Sequence, residues 1–422
     1  MKKSIIAMSL LSVLSMSVFA DAPNYSPTEI HEMKASFDME TWQLGKDVDA
    51  TRYIYTHASE YFKHADIKKG GNTHVLPTNI QPELGLIEAE THAGKKSLDQ
   101  WTEGHLDAVI VIHKGNVVYE KYPRMEEDDK HIWWSVSKSA VGTLVGILEA
   151  EGKVDITKNI ETYLPELKGS GWEGITVSSI LEMASGMNGL EADDPEAYTN
   201  MHSPYALYES SLGFTGKTEQ TMDSTYDYMK TLVKQKPANT KHEYTSVNTF
   251  VLAWLVEKME DKPYNKVFED RIWKHMGAEF NGQVQVSDIG APGASGAISS
   301  TLRDLGRYGM MFTPSAPSKA IPESHIKKVS QGGNTTAYEA GMLFPVMNNY
   351  VLGNAHSSAY QWDIVTTDGD FAKAGYHGQT LYVSPEADLV VAGYATVEGY
   401  DTWMYARAIA EKFKAETQAT SK

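Results

Sequence analysis

The sequence predicts an α/β protein of the α+β type: an antiparallel sheet flanked by helices, with a helical lobe beside it. Three observations carry this. Strand-like apolar segments occur near residue 110 and return near residues 380–390. The stretch between them is long and mostly helical in its periodicity. A last helical segment, from about Thr402 to Ala415, closes the chain. Terminal strands with helices between them predict one sheet completed by both ends of the chain. A site is then expected in the crevice between sheet and lobe.

Taken in order, the chain of 422 residues begins with Lys2 and Lys3, an apolar run from Ile5, and Val18-Phe19-Ala20 before Asp21. This pattern reads as a secretory signal peptide over residues 1–20, cleaved after Ala20. A periplasmic or secreted protein is expected. There is no cysteine, hence no disulfide and no lipid-modified anchor, and no later segment is apolar enough to span a membrane. Residues 21–100 are polar and mixed. Trp42, Tyr53, Tyr55, Tyr61 and Phe62 among them predict an N-terminal extension packed on the body, with residues 101–422 forming the main domain. The formal charge is −17, and loss of Lys2 and Lys3 makes it more negative. That argues against nucleic acid and anionic membranes as partners.

Asp107–His113 and Asn116–Tyr122 read as strands joined by a tight Lys114-Gly115 hairpin. A buried helix follows within His131–Glu151. The lobe, about 160–290, is expected to hold helices at 175–184 (Thr176 as N-cap), 223–236 and 246–260. Residues 187–222 are expected to be an aromatic-rich loop walling the site. A small-residue turn at 290–300, a short helix at 302–312, and strands at 379–383 and 389–392 complete the reading.

The chemistry centres on Ser135 and Lys138. Three residues apart on a helix, hydroxyl and amine share a face. Serine becomes a nucleophile when a base takes its proton, and lysine can be that base once burial lowers its pKa. Trp133, Trp134, Val136 and the apolar run from Ala140 to Leu148 supply that burial. A second S-x-x-K, Ser324 to Lys327, lies in a polar segment with Lys328 beside it and lacks such surroundings. A proton carrier and an oxyanion hole are also needed. Y-x-[SN] occurs at Tyr198, Tyr208, Tyr244 and Tyr382; Tyr244 stands just before an apolar helix, with Ser246 or Asn248 as cap or polar ligand. A neighbouring cationic lysine is expected to lower its pKa. In AGYHGQTLYV, Gly375 and Gly378 allow a strand to pass close to a ligand. The N–H groups of Gln379 and Ser135 are then expected to form the oxyanion hole. On spacing alone, His377 is equally well a strand-edge residue. No cofactor motif and no metal-ligand spacing is present.

These residues resemble the penicillin-recognising serine hydrolases: class C β-lactamases, D-Ala-D-Ala peptidases, family VIII esterases and 6-aminohexanoate-dimer hydrolases. The order matches: Ser135-Val136-Ser137-Lys138, Tyr244-Thr245-Ser246, then Tyr376-His377-Gly378 in the place of K-T-G. SILEMASGM, RIWKHMGAE and SSTLRDLGRYG add to it, over about Leu106 to Ala415. The resemblance implies a β-lactamase/transpeptidase-like fold, with Ser135 as nucleophile, Lys138 as base and Tyr244 as proton relay. It also implies Tyr198, Ser246, Tyr376, His377 and Gly378 as substrate contacts. It is similar in particular to the aminohexanoate-hydrolase branch, in Ser246, Gly378-Gln379 and Tyr198. The motif lysine is expected to be absent, with Tyr376 in its position, and Lys373 is expected to be directed elsewhere by its strand. The expected activity is hydrolysis of a small-molecule ester or amide through an acyl-enzyme. A β-lactamase or D-Ala-D-Ala carboxypeptidase is the alternative, and a non-catalytic binding protein the third reading.

Overall fold

A computed structural model describes residues 25–38, 42 and 45–420. The segment read as a signal peptide lies outside these residues. The strands, in chain order, are β1 (His64–Ile67), β2 (Glu88–Thr91), β3 (Gly94–Ser97), β4 (Ala108–His113), β5 (Asn116–Lys121), β6 (His131–Ile132), β7 (Gly282–Gln285), β8 (Ile298–Ser300), β9 (Ala355–Ala359), β10 (Trp362–Thr366), β11 (Phe371–Gly375), β12 (Gln379–Ser384) and β13 (Leu389–Tyr394). The main sheet is antiparallel in the order β5-β4-β13-β12-β11-β10-β9. Early strands thus pair directly with late ones, Val111 opposite Val391. A sheet completed by both ends of the chain is what the sequence predicts.

Both faces of this sheet are covered, so its central strands read as unbroken apolar runs rather than alternating ones. Ile110 and Ile112 face the large core shared with the lobe, whereas Val109 and Val111 face the closing helix Thr402–Thr420, through Trp403, Ile409 and Phe413. Lys114 and Gly115 have φ of 49° and 72°, the paired left-handed conformation of a two-residue hairpin. A smaller sheet has the order β1-β7-β8-β6, and its last strand leads into the turn that carries Ser135.

The helix carrying Lys138, α1 (Ser137–Ala150), is buried continuously from Ser137 to Leu148. This central helix packs against α2 (Ser246–Glu260), the principal helix of the lobe. Gly142 is required there: a Cβ would stand 1.8 Å from the Tyr360 carbonyl oxygen.

The lobe differs in detail from expectation. Helices expected at 175–184 and 223–236 are shorter, Val177–Leu181 and Thr225–Thr231. Met183, with φ of 54°, lies just beyond the first. The expected loop 187–222 contains the helix Pro204–Leu212, capped by the Ser203 side chain and ended by Gly213 with φ of 82°. It is buried on nearly every side, so it lacks the one-sided periodicity that marks a surface helix. Strands β9 to β11 were not expected, because Ser357, Asp363, Thr366 and Lys373 put buried polar residues within them.

The segment before residue 100 lies against the body. In the helix Val48–Thr56, Arg52 donates through Nε to Asp107 Oδ1 at 2.9 Å, and both side chains are buried. Asp107 also accepts from Thr396 and faces His131. Burial opposes its ionisation, but His131, Arg52 and Thr396 together hold its pKa below the usual range. Among the described residues no helix is long and apolar enough to cross a membrane.

Removing one partner of a buried ion pair strands the other, at a cost of about 3–5 kcal/mol. Asp107→Ala is therefore expected to lower unfolding stability by about that amount in urea titration at neutral pH. Since Asp107 is depressed in the folded state, its contribution is full above the unfolded carboxyl pKa. It fades as pH falls through the folded value, so the variant and wild type should converge in acid.

Candidate active site

Ser135 sits in the tight turn Trp134–Val136 that runs into α1. Trp134 has φ of 45°, a conformation that bulky residues rarely adopt. The turn is pinned to β8 by the Trp133 N–H donating to the Ile298 carbonyl at 2.8 Å. From one turn further on, Lys138 reaches back with Nζ 2.8 Å from Ser135 Oγ, 2.9 Å from Ser246 Oγ and 2.9 Å from the Ser295 carbonyl oxygen. The Ser295 carbonyl can only accept, and the Ser246 hydroxyl can accept a second N–H. A neutral amine held this way turns its lone pair to Ser135.

Lys138 is 1% exposed, and among the described residues no carboxylate forms an ion pair with it. Burial is the main cause that lowers its pKa, to about 8; Glu191 opposes the shift and Lys373 adds to it. A neutral amine is therefore accessible near neutrality, the form that a base for a seryl nucleophile would need.

Tyr244, two residues before α2, lies between two amines. Its ring centroid is 5.0 Å from the Nζ of Lys138 and 5.0 Å from that of Lys373. Lys373 Nζ donates to the Tyr244 hydroxyl at 3.1 Å, to Asp363 at 2.8 Å and to the Ala374 carbonyl at 2.9 Å. The tyrosine pKa is not lowered as expected. Burial pushes it well above its ordinary value, Asp363 and Glu191 add to this, and contact with the Ser135 hydroxyl only partly offsets it. Each nearby cation is offset by a carboxylate, so desolvation decides.

Glu191 fastens the loop after Gly189 to this segment. Its carboxylate accepts from the Ser246 N–H and from the Tyr198 hydroxyl, and its own N–H donates to the Tyr244 carbonyl at 3.2 Å. Two cavities meet at Ser135. The outer cleft, about 380 Å³, is walled by Leu343, Val346, Met347, Tyr350 and Tyr400, with Tyr244 at its base. The inner chamber, about 30 Å³ and more enclosed, is bordered by Ser135, Lys138 and Ser246.

A family model for β-lactamase matches residues 98–411. The chain belongs to the β-lactamase family. It is 30% identical over 304 residues to a 6-aminohexanoate-dimer hydrolase from Paenarthrobacter ureafaciens, covering 70% of this chain and 74% of that one. A solved structure from Bacillus anthracis, provisionally assigned as a 6-aminohexanoate-dimer hydrolase, superposes with a TM-score of 0.76 at 20% identity. It covers 90% of this chain and 98% of its own. A β-lactamase/D-alanine carboxypeptidase from Yersinia pestis gives a TM-score of 0.55 at 18% identity, over 74% and 94% of the two chains. These two structures establish the fold. The chain is thus a member of the penicillin-recognising serine hydrolase superfamily.

Within this β-lactamase-family fold the structure brings Ser135, Lys138, Tyr244 and Ser246 together, and lines the crevice with Tyr198 and Tyr376. The rings of Tyr198 and Tyr376 stack, with centroids 6.0 Å apart. The third motif needs correction. Lys373 is not directed elsewhere: β11 delivers its amine to Tyr244, so the triplet in the site is Lys373-Ala374-Gly375. Gly375 abuts the nucleophile turn; a Cβ there would lie 2.4 Å from the Trp133 carbonyl oxygen.

His377 and Gly378 line neither cavity. The chain leaves β11 in a tight turn in which His377 takes φ of 60° and points to the N-terminal segment, its Nδ1 2.9 Å from the Tyr55 hydroxyl. Gly378 packs against Gly399. Gln379 also lines neither cavity. It pairs with Gly375 from the next strand, and its side-chain amide is bonded to Ala395 and the Tyr376 carbonyl. Ser324 and Lys327 are exposed, as expected. Glu191 and Asp363 carried no motif signal; Lys373-x-Gly375 did, three residues before the triplet chosen.

With Lys138 acting as a base in its neutral form, kcat/KM is expected to rise with pH, about tenfold per unit in acid, and level off above about pH 8. Lys138→Ala should lower kcat by about 10²–10⁴-fold and remove this limb from the pH–rate profile.

Proposed function

We propose that the protein hydrolyses small-molecule esters or amides through an acyl-enzyme on Ser135. The reading is carried by one observation: a buried lysine amine, its pKa lowered to about 8, stands 2.8 Å from the serine hydroxyl. Lys138 takes the Ser135 proton as Oγ attacks the acyl carbon. Tyr244, which burial keeps protonated, gives its proton to the leaving oxygen or nitrogen and is reprotonated from Lys138. Water then yields a proton to Lys138, attacks the acyl carbon, and Ser135 departs with that proton. Lys138 is thus the base and Tyr244 the proton donor. For the oxyanion we assign the N–H groups of Ser135 and Tyr376 instead of Gln379. Tyr376 follows the glycine that abuts the nucleophile turn and borders both cavities, which supports this choice.

The amide side of the proposal is supported by similarity to the Paenarthrobacter hydrolase. A second reading, β-lactam or D-Ala-D-Ala hydrolysis, is favoured by the presence of Lys373 at the site. Against it, all three donors of that ammonium are engaged, by Tyr244, Asp363 and Ala374. Glu191, Asp363 and Glu398 line the outer cleft, and no lysine or arginine does so among the described residues. A substrate carboxylate finds no free cation there. The ester or amide preference therefore stands on a different ground from the missing lysine first expected. We further propose export across the inner membrane, on the basic and apolar pattern of residues 1–20.

A panel of p-nitrophenyl esters, anilides and a chromogenic cephalosporin, followed by mass spectrometry of trapped protein, tests the assignment. Ester or anilide turnover with an acyl adduct on the peptide containing Ser135, both lost in Ser135→Ala, is the expected result. Rapid cephalosporin turnover without ester or anilide hydrolysis would reverse the order of the two readings.

A further inference from the structure

The two cavities at Ser135 are unequal, and the proton donor tells them apart. Tyr244 borders the outer cleft and not the inner chamber. The atom it protonates belongs to the leaving group, so the leaving group occupies the outer cleft. The acyl group then lies on the other side of Ser135, in the inner chamber. This deduction rests on the function proposed above.

The chamber is small, and polar side chains stand among its aromatic walls. Its volume of about 30 Å³ admits about two water-sized groups. Gln285, at the end of β7, borders it. That side chain is 2% exposed, and neither its amide nitrogen nor its amide oxygen has a hydrogen-bond partner among the described residues. An unpaired buried amide costs about 1–3 kcal/mol for each group left without a partner. A ligand that donates to and accepts from Gln285 recovers that cost. The carboxylates of Glu191 and Glu209 also border the chamber, so its polarity is not confined to one wall.

Trp42 forms a further wall. It comes from the N-terminal segment, outside the stretch matched by the family model. Its indole is 1% exposed and packs on Trp134, the residue before the nucleophile, with centroids 4.8 Å apart. Phe62 backs it at 4.7 Å. A wall built of aromatics packed on one another does not yield to a longer chain without repacking.

We propose that Trp42 makes the inner chamber a short, polar acyl subsite, so that the preferred substrates are esters or amides of acyl groups of about two to four carbons bearing a hydrogen-bonding group recognised by Gln285. Trp42 and Gln285 are then specificity determinants supplied from outside the three catalytic motifs.

The test uses the full chain and p-nitrophenyl esters, which keep the leaving group constant. Acetyl, propanoyl, butanoyl, hexanoyl and octanoyl esters vary length; hydroxyacetyl against propanoyl varies polarity at equal size. For wild type, kcat/KM is expected to fall about tenfold or more from butanoyl to octanoyl, and hydroxyacetyl to exceed propanoyl by a similar factor. Trp42→Ala should raise the octanoyl-to-acetyl ratio about tenfold or more, with Trp42→Phe intermediate. Gln285→Leu should reverse the hydroxyacetyl preference. The ratios are internal to each variant, so a partial loss of folded protein does not alter them. The Arg52–Asp107 and Tyr55–His377 contacts still hold the segment in place when Trp42 is shortened. Ester turnover with a length profile that Trp42→Ala leaves unchanged would overturn this inference and leave the proposed function standing. No turnover of any ester or anilide, with no adduct at Ser135, would overturn both.

Discussion

Burying a lysine amine without a carboxylate in contact is costly, and the crevice of this protein is built to bear that cost at one place only. Two lysines flank the ring of Tyr244 at equal distance, yet they are held differently. Lys373 is paired with Asp363 and keeps a counter-charge in contact. Lys138 has two hydroxyls and a carbonyl instead, which solvate an amine without fixing its proton. Burial lowers the pKa of both amines; at Lys373 the Asp363 carboxylate in direct contact opposes the shift, whereas Lys138 lacks such a contact and its pKa falls to about 8. The same residue type, on two sides of one ring, thus meets two different sets of partners.

Everything around Lys138 maintains this asymmetry. The Ser295 carbonyl, from the small-residue turn before β8, fixes one N–H. Ser246, at the start of α2, fixes another, and Glu191 in turn holds the Ser246 backbone. The two helices and the turn that meet here come from separate stretches of the chain.

Much of this was legible in the sequence, and the reasons for the remainder are physical. Ser135 and Lys138 could be read because helical spacing and apolar surroundings are local properties. Tyr244 could be read because it precedes an uninterrupted apolar helix. The strand at 371–375 was overlooked because its buried lysine and the buried aspartate of β10 look like solvent-facing charge until the two are paired in space. Misreading that strand displaced the third motif by three residues, and carried Tyr376, His377 and Gly378 into roles of which only Tyr376 faces the crevice. The expected fall in the Tyr244 pKa failed for a related reason. Sequence spacing reveals a neighbouring cation but not the carboxylates of Asp363 and Glu191, which cancel its field, nor the depth of burial.

The seclusion of Lys138 has one more consequence. A chain with a formal charge of −17 gathers a cloud of mobile cations, and most of its surface electrostatics depend on the ionic strength of the medium. Screening acts on charges that dissolved ions can approach. The amine and the groups that fix it are packed inside the protein, so added salt reaches them weakly. Encounter with a charged solute will follow the composition of the medium, whereas the proton equilibrium of Lys138 is insulated from it.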